Sequence, residues 1–365
     1  MPFSSLVRSI FTKVRGIVKP RPTIESASID ALFPRHKKHV LIPSFEIPTP
    51  ETREMKFDPF YAYINSPTYE TPQVYTTLLE DVLFCPVNNI ILRKDRKIIK
   101  ESAGPGRKTF GVDQRAIVGA TDVEPIDGLC TSFRSSFDNY YHLLIDHLSR
   151  FDLLNHEYFA QFDEIKLLCP GGLRSTEQYF VAKLLPCNVK IVSLEKGVLY
   201  RPEKYLFNSF LTQRASAYIP GPFIDRIQER TRPSGVTNRD KRIYVSRADA
   251  RHRKVLNEDD LVSRLQKYGF EVYCLSNLSL HQQIDLFHSA EIVVAPHGAG
   301  LSNLLFSEKA RVLELHPPPT VATHFYMLSK RKGHQYEFVV HEAKETDSDF
   351  HANPYRIEEK INTIM

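Results

Sequence analysis

Short apolar runs alternate with amphipathic stretches over most of this chain. Apolar runs bounded by turn residues predict strands, and apolar positions three or four apart predict helices. After the middle of the chain the two patterns alternate, which predicts parallel strands covered by helices in an α/β protein. The predicted strands are Val82–Cys85, Asn89–Leu92, Lys97–Ile99, Ile117–Val118, Leu129–Phe133, Ile165–Cys169, Val189–Ser193, Tyr205–Leu211, Arg242–Ser246, Glu271–Leu275, Ile292–Ala295 and Val312–Leu315. The predicted helices are 139–156, Ser175–Leu184, Phe223–Thr231, Asn257–Tyr268, Leu280–His288 and Leu301–Phe306.

A polar, Gly-containing break between Pro233 and Arg239 divides the chain into two halves. At roughly 150 residues per domain, a chain of 365 residues favours two domains. We therefore expect two Rossmann-like domains facing a cleft, with ligands at the carboxyl ends of the strands. The predicted divisions are a basic amphipathic helix at residues 1–20, a Pro-rich lead-in at 21–72, an N-terminal domain at 73–234 and a C-terminal domain at 235–365.

The composition excludes several classes of protein. Its 42% hydrophobic and 25% charged residues are typical of a globular chain. No apolar run reaches the roughly 18 residues that cross a bilayer. A net charge of +5 gives no argument for nucleic acid as a partner. The five cysteines include no Cys-x-x-Cys pair, which favours reduced thiols in a reducing compartment over disulfides or a zinc site.

The first twenty residues form a basic, amphipathic pattern. Drawn as a helix, their apolar side chains fall within an arc of about 140°. The pattern is typical of a helix lying in a membrane interface. A helix docked on the protein's own core and a transit peptide are the alternatives. The apolar residues are Phe3, Leu6, Val7, Ile10, Phe11, Val14, Ile17 and Val18, and the basic residues before Glu25 are Arg8, Lys13, Arg15, Lys19 and Arg21.

The sharpest motif runs from Ile292 to Phe306, where a buried strand passes through Gly298 and Gly300 into a helix. Glycines let the backbone approach a ligand, and amides at a helix start favour an anion such as a diphosphate. Asn303 stands where the dinucleotide fingerprint needs a third Gly, which excludes that motif. The Walker loop and the lipase nucleophile elbow are also absent. A tight turn without a ligand is the alternative.

Two other segments place charge at or near strand ends. Arg247 directly follows a predicted strand and Arg253 comes shortly after it, a location that suits arginines reaching a phosphate. Glu314 lies inside an apolar strand, where a carboxylate needs a partner such as the two hydroxyls of a ribose. A solvated basic loop and a structural ion pair are the respective alternatives.

A polar stripe marks the helix predicted at 139–156. Asn139, His142, Asp146 and Arg150 are spaced three or four apart, so they lie on one helix face. The rest of the helix is largely apolar, which favours a cleft lining. His142 with Asp146 below it forms an oriented general base. Asp146 acting directly and a satisfied core histidine are the alternatives.

Taken in order, these motifs resemble glycosyltransferase family 61. The resemblance covers about residues 129–317, and the part around His297 is its most specific piece. The motifs are Asn-Tyr-Tyr-His with a later Asp and Arg (139–150), Ser-Arg-x-Asp-Ala with a later Arg and Asn-Glu (246–258), Pro-His-Gly-Ala-Gly-Leu-Ser-Asn (296–303) and Leu-Glu-Leu (313–315).

The resemblance implies a GT-B-like architecture and an inverting transferase. The N-terminal domain would face the acceptor, and the C-terminal domain would hold a UDP-sugar of the xylose or N-acetylglucosamine type. The implied catalytic residues are His142 and Asp146. The implied donor-binding residues are Arg247, Arg253, His297, Gly298, Ala299, Gly300, Asn303 and Glu314.

Bacterial members of that family belong to capsule or exopolysaccharide assembly. Because this chain lacks a membrane-spanning run and paired cysteines, we expect a cytoplasmic, bacterial-type enzyme, peripheral on the inner membrane face. Its acceptor would be a glycan or a lipid-linked glycan. The Asp-x-Asp sequence at 347–349 matches metal-dependent sugar transferases only weakly, since it does not follow a core strand. We therefore assign no metal site and no firmly implied cofactor.

Two other functions are weighed beside this one. A non-catalytic sugar-nucleotide or glycan-binding protein on the same scaffold would need the Arg247 and Gly298 segments but not His142 and Asp146. A nucleotide-dependent oxidoreductase is disfavoured by Asn303 in place of the third Gly.

The segment from Pro2 to Lys19 predicts binding to anionic lipid vesicles. Each Lys or Arg near an anionic surface contributes about 1 kcal/mol, and burial of the apolar face adds to this. In a co-sedimentation assay we expect binding that weakens with salt and is lost when residues 1–20 are deleted. Turnover of a soluble acceptor should survive the deletion, since the motifs begin well downstream. An intact protein that ignores vesicles at low salt, with a truncation that unfolds, would show that the helix packs on the protein's own core.

Overall fold

Strands and helices alternate through the residues that the computed structural model of this protein describes, which are 24–49, 68–105, 112–213, 216–235, 238–317, 322–341 and 349–365. The strands are β1 (Ser26–Ala27), β2 (Lys38–Ile42), β3 (Glu46–Pro48), β4 (Thr68–Glu70), β5 (Val74–Leu79), β6 (Val82–Cys85), β7 (Ile90–Arg93), β8 (Ile98–Ile99), β9 (Val123–Thr131), β10 (Ile165–Pro170), β11 (Val189–Leu194), β12 (Leu199–Asn208), β13 (Lys241–Ser246), β14 (Phe270–Cys274), β15 (Ala290–Pro296), β16 (Arg311–His316) and β17 (Gln335–Val340). The α-helices are α1 (Ile29–Leu32), α2 (Lys100–Ala103), α3 (Gln114–Gly119), α4 (Tyr140–His142), α5 (Leu148–Asp152), α6 (Ser175–Leu184), α7 (Phe223–Thr231), α8 (Glu258–Gln266), α9 (Leu280–Ser289), α10 (His324–Lys332) and α11 (Pro354–Ile364). A π-helical turn covers Leu143–His147, and 3₁₀ turns cover Leu153–Asn155, Glu157–Gln161, Leu275–Asn277 and Ala299–Phe306.

Ten of the described strands form a mixed first sheet. Strands β12, β9, β10 and β11 lie side by side in that order and are parallel. On the other side of β12, the partners β5 and β6 run antiparallel to it. Strand β2, from the Pro-rich lead-in, pairs with β5. The carboxyl ends of the four parallel strands therefore reach one edge, which we call the first edge.

The second sheet is fully parallel, with the order β14-β13-β15-β16-β17. Helix α8 connects β13 to β14, α9 connects β14 to β15, and α10 connects β16 to β17. The strand order reverses between β13 and β15. In open α/β sheets such a switch point leaves a crevice at the carboxyl ends of the strands, where ligands bind.

Capping side chains explain where two of these helices begin. At α9, the Ser279 hydroxyl accepts a hydrogen bond from the Gln282 amide, and the Gln282 side chain accepts one from the Ser279 amide. At α4, Asn139 Oδ1 accepts from the His142 amide at 3.0 Å. These side chains satisfy amides that have no partner within the first helical turn.

Helix α4, the π turn and α5 follow one another without a break, so residues 140–152 form one bulged helix. We call it the 140–152 helix. A π turn is rare in proteins and occurs frequently at functional sites. Here it interrupts the predicted polar stripe between His142 and Arg150.

One hydrophobic cluster contains side chains from both sheets. The rings of Phe180, on α6, and Phe306, after β15, stack with their centroids 6.0 Å apart. Arg331, on α10, donates hydrogen bonds to the carbonyls of Ile219 and Gly221. The two halves therefore pack against each other along the described chain. The division into two GT-B domains facing a cleft stays a prediction, with its boundary between α7 and β13.

The alternation predicted after Arg239 is confirmed, with element ends shifted by one or two residues. The strand predicted at Ile117–Val118 is wrong, because these residues lie in α3. Asp113 caps that helix by accepting from the Arg115 amide at 3.0 Å, and this local bond outweighs the strand preference of two β-branched residues. The first half is also more antiparallel than the predicted pattern, since β5, β6 and β7 run against their neighbours.

Within the described ranges, no helix has both the length and the apolar character needed to cross a bilayer. The amphipathic segment predicted at residues 1–20 lies outside those ranges, so its membrane role stays a prediction.

Candidate active site

The candidate site lies at the switch point of the second sheet. Arg247 directly follows β13, and His297 and Gly298 directly follow β15, so all three flank the crevice. Strand β15 is apolar and almost wholly buried. Because the strand is packed in the core, it fixes the position of the turn that follows it.

Arg247 lies directly over Gly298. A Cβ atom built at Gly298 would stand 2.0 Å from Arg247 Nη1, so any larger residue here would move this guanidinium from its present position. Arg247 Nη2 donates to the His252 carbonyl at 3.0 Å, and the buried Nε has no partner among the described residues. Burial lowers the pKa of Arg247, with a smaller contribution from the nearby charge of Arg253. An incompletely bonded cation over a glycine turn is suited to an anion.

Contacts with Asp349 and Phe350 hold the loop that carries Arg253 in place. Arg253 has a φ of 63°, a conformation that is uncommon outside glycine and typically persists where the surroundings enforce it. The next amide, of Lys254, donates to Asp349 Oδ1 at 2.9 Å, and Val255 bridges Phe350. Asp349 therefore anchors this loop, whereas Asp347 of the weak Asp-x-Asp match lies outside the described residues.

His297 and Glu314 form a pair in which the carboxylate is fully buried and the imidazole is 13% exposed. His297 Nδ1 lies 2.5 Å from Glu314 Oε1, and the Tyr336 hydroxyl donates to Glu314 Oε2 at 2.5 Å. Burial, followed by the charges of Arg253 and Arg247, lowers the pKa of His297 to about 3. Burial raises the pKa of the Glu314 carboxyl. Both Glu314 oxygens thus bond to side chains, so its observed role is to fix the His297 ring, and its predicted contact with a ribose stays a prediction.

His297, Glu314 and His316 also form a group whose ligand atoms lie within 4.8 Å of one another. Two imidazoles and a carboxylate are ligand types that zinc accepts, and here they contact one another, His297 Nδ1 through Glu314 Oε1 and His316 Nε2 at 3.6 Å from Glu314 Oε2.

The second pair lies on the 140–152 helix. His142 Nδ1 lies 2.6 Å from Asp146 Oδ2, and the Thr212 hydroxyl donates to Asp146 Oδ1 at 2.5 Å. The side chain of Asp146 is 1% exposed and that of His142 is 20% exposed. Asp146 is thus placed to orient the ring, and the solvent-facing group is the imidazole. This geometry favours His142 over Asp146 as the general base.

The two pairs meet where the 140–152 helix contacts the second sheet. Tyr141 makes edge contacts with both His142 and His324, at 5.2 and 4.9 Å between ring centroids. The His324 ring lies 5.7 Å from that of His297. The structure therefore brings the predicted catalytic pair and most of the predicted donor-binding residues to one place.

The side chain of Asn303 holds the Gly298 turn in place through hydrogen bonds. Its oxygen accepts from the Tyr140 hydroxyl at 2.7 Å, and its nitrogen donates to Gln283 and to the Gly300 carbonyl, both at 3.1 Å. Asn303 is fully buried, so its observed bonds position the turn, and its predicted donor contact stays a prediction. Ala299 opens the 3₁₀ turn and is half-buried.

Sequence reasoning missed Thr212, His316, His324 and Tyr336. A signal existed for His316, because residues two apart on a strand face the same side, and His316 follows Glu314 by two. The other three come from segments distant along the chain, and no local pattern connects them to the motifs.

Arg150, the last member of the predicted stripe, does not line the site. It is fully buried, and its guanidinium lies over the ring of Phe210 at 4.5 Å while Nε donates to the Asn208 carbonyl at 2.7 Å. Burial lowers the pKa of Arg150 to about 10. Arg150 therefore anchors the carboxyl-terminal part of the 140–152 helix in the core of the first half.

Most of the residues of this site lie in a stretch of the chain that matches a known protein family. Residues 140–313 match the family model described as Glycosyltransferase 61, a stretch that contains both His142 and His297 and ends one residue before Glu314. Over 81 residues the chain is 36% identical to the EGF domain-specific O-linked N-acetylglucosamine transferase of Mus musculus and 35% identical to that of Bos taurus. The aligned stretch covers 20% of this chain and only 15% of each relative.

Removing the cation over the turn should weaken binding of UDP. For Arg247→Ala we expect a loss of about 1.5–3 kcal/mol, the contribution of a charge-assisted hydrogen bond. Gly298→Ala should cause a similar loss, because its Cβ displaces the guanidinium. Isothermal titration calorimetry measures both, with Arg251→Ala, an exposed arginine of the same loop, as the matched control. Unchanged affinity in folded Arg247→Ala would remove this residue from the site.

The base assignment predicts different effects of the two members of the His142 pair. His142→Ala should lower transfer by roughly 10²–10⁴-fold and leave UDP affinity unchanged, as expected for loss of a general base. Asp146→Asn should cost less, because it alters only the orientation of the ring. Steady-state kinetics with folded variants measures both effects. The roles would have to be exchanged if Asp146→Asn abolished turnover while His142→Ala remained active.

Proposed function

We propose that this protein is a glycosyltransferase that moves a sugar from a UDP-sugar, with inversion, to a glycan or lipid-linked glycan acceptor. The observation that carries the proposal is the placement of Arg247 over Gly298 within the same site as the oriented His142–Asp146 pair. The match to the Glycosyltransferase 61 model and the partial similarity to N-acetylglucosamine transferases support the coarser part of the proposal, a glycosyltransferase activity.

On the donor side, the leaving group is a nucleoside diphosphate whose charge grows as the glycosidic bond breaks. Arg247, Arg253 and the amides of the Gly298–Gly300 turn are placed to stabilise this charge. His297, held by Glu314, lies near Arg247 and Arg253, whose charges contribute to its lowered pKa. Because these groups are fixed before the donor binds, little reorganisation is needed at the moment of reaction.

On the acceptor side, the reaction needs one proton removed from a hydroxyl. His142 takes this proton, the hydroxyl oxygen attacks the anomeric carbon, and the bond from that carbon to the diphosphate oxygen breaks with its electron pair. A single displacement inverts the configuration at the anomeric carbon. Asp146 keeps the ring oriented and stabilises the imidazolium that forms, and Thr212 holds Asp146 in place.

The sugar and the setting are the finer parts of the proposal. The relatives' names mention N-acetylglucosamine, which makes UDP-N-acetylglucosamine the first donor to test, with UDP-xylose next. The basic segment before Pro20 supports a position at an anionic membrane surface, where lipid-linked intermediates of polysaccharide or capsule assembly are found. We propose the cytoplasmic face of the inner membrane as that position.

A thermal-shift panel of nucleotide sugars tests the donor class. A ligand present at 100 times its dissociation constant adds about 2.7 kcal/mol of stability, so UDP-sugars should raise the unfolding temperature. ADP-glucose, GDP-mannose and NAD serve as controls and should not. UDP release that depends on an added acceptor then separates a transferase from a non-catalytic binder. Stabilisation by NAD alone would overturn the proposal.

A further inference from the structure

Two cavities open at the first edge, on the half of the molecule that carries His142. The larger, which we call the β12 cavity, has a volume of about 390 Å³ and lies at the end of β12, where Tyr75, Glu101, Phe210 and Thr212 line it. The smaller, the β10 cavity, has a volume of about 200 Å³ and lies at the ends of β9 and β10.

Gly104 and Phe137 meet between the two cavities, and His142 stacks on Phe137 without lining either cavity; we call these three residues the ridge. Gly104 lines the β12 cavity and packs against the ring of Phe137, where a Cβ atom would come within 2.8 Å. Phe137 lines the β10 cavity and stacks on the His142 ring with centroids 5.0 Å apart. A ligand that filled both cavities would therefore cross the ridge beside the proposed base.

The β12 cavity connects directly to the catalytic pair. Thr212 in its wall donates to Asp146, which in turn bonds to His142, so these two side chains connect an occupant of the cavity to the base. The wall combines the rings of Tyr75 and Phe210 with the polar side chains of Glu101 and Gln73. Aromatic faces beside hydrogen-bonding groups suit a sugar, which presents both an apolar face and hydroxyls that donate and accept.

The β10 cavity has polar atoms that lack partners among the described residues. These are Asn89 Oδ1 and His147 Nδ1, both buried and both on residues that line the cavity. His147 Nε2 accepts from the Ser135 amide at 3.1 Å, so the neutral ring carries its proton on Nδ1 and has a donor to offer. Burial lowers the pKa of His147, which keeps the ring neutral. Sugar hydroxyls, which both donate and accept, have the chemistry that each of these atoms requires.

Two of the three cations around the β10 cavity are paired with carboxylates. Arg134 bonds to Glu177 through two nitrogens, and Arg174 bonds to Glu177 and to Asp138. Both guanidiniums are thus compensated by carboxylates, namely Asp138, which lines the cavity, and the fully buried Glu177, which does not. Lys196 is the remaining cation of the lining, and it is exposed.

We propose that the two cavities are acceptor subsites on either side of His142, so that the protein glycosylates an internal unit of an extended glycan and not its terminal unit. This inference rests on the proposed function. A site for a chain end is closed beyond the reacting unit, whereas here the ridge is flanked by a cavity on each side. The hydroxyl presented to His142 then belongs to a unit with neighbours in both directions.

Oligosaccharide binding to the full chain tests this arrangement without turnover. The probes are xylo-, cello- and chito-oligosaccharides from the monosaccharide to the hexasaccharide, titrated at millimolar concentrations by calorimetry or saturation-transfer NMR. We expect the affinity of at least one series to rise with length until both cavities are filled. Gln73→Trp places a ring in the mouth of the β12 cavity, and Lys196→Trp does so in the β10 cavity.

Each of these two Trp substitutions, which we call plugs, should by itself weaken binding of the hexasaccharide at least about tenfold, which is about 1.4 kcal/mol. The matched controls Gln266→Trp and Lys190→Trp, exposed residues away from both cavities, should not weaken it. Loss caused by one plug only would mean an acceptor bound by its chain end and would overturn the inference. Binding that ignores both plugs, or no binding by any series, would overturn it as well.

Binding of UDP, measured on the same variants, separates this inference from the proposed function. Retained UDP binding with oligosaccharides that ignore the plugs removes only the two-sided acceptor site. Loss of UDP binding by the unmodified protein removes the proposed function itself. Where transfer occurs, mass spectrometry of the product should locate the new sugar on an internal unit.

Discussion

The hydrogen bond from the Tyr140 hydroxyl to the Asn303 oxygen, 2.7 Å long, joins the two halves of the candidate site. Tyr140 begins the 140–152 helix, and Asn303 bonds within the turn that follows Gly298, so this bond holds the helix that carries His142 against that turn. Burial raises the pKa of Tyr140, which keeps the hydroxyl protonated as a donor. A hydrogen bond shielded from water is also stronger and more directional than an exposed one. The position of His142 relative to Arg247 therefore depends on this contact and on the packing around it.

Two histidine–carboxylate pairs with the same arrangement lie where the 140–152 helix meets the second sheet. In each, a buried carboxylate holds the ring through Nδ1, at 2.6 Å in His142–Asp146 and 2.5 Å in His297–Glu314. Their surroundings differ, because Arg247 and Arg253 lie beside His297 while the cavities of the first edge lie beside His142. In the proposed reaction this difference divides the work, since one ring faces a departing diphosphate and the other faces an incoming hydroxyl.

The sequence pattern predicted which residues share one face of a helix or strand better than it predicted which side chains those residues contact. The spacing of His142 and Asp146 predicted their contact correctly, because residues four apart on a helix are adjacent. The same stripe predicted a cleft position for Arg150, which is instead buried among aromatic rings behind the π turn. Glu314 was expected to need a partner, and the structure supplies Tyr336 from a strand that no motif indicated.

By itself, the sequence determined the alternation of strands and helices in the second half, the glycine turn after β15 and the charged residues at the strand ends. These depend on interactions within a few residues, such as capping bonds, side-chain periodicity and the room that glycine leaves. Only the tertiary structure decided the order of the strands, the contact of Tyr140 with Asn303 and the ridge between the two cavities. Those features depend on residues far apart in the chain, whose contacts are selected by the packing of one shared core and leave no periodic signal in the sequence.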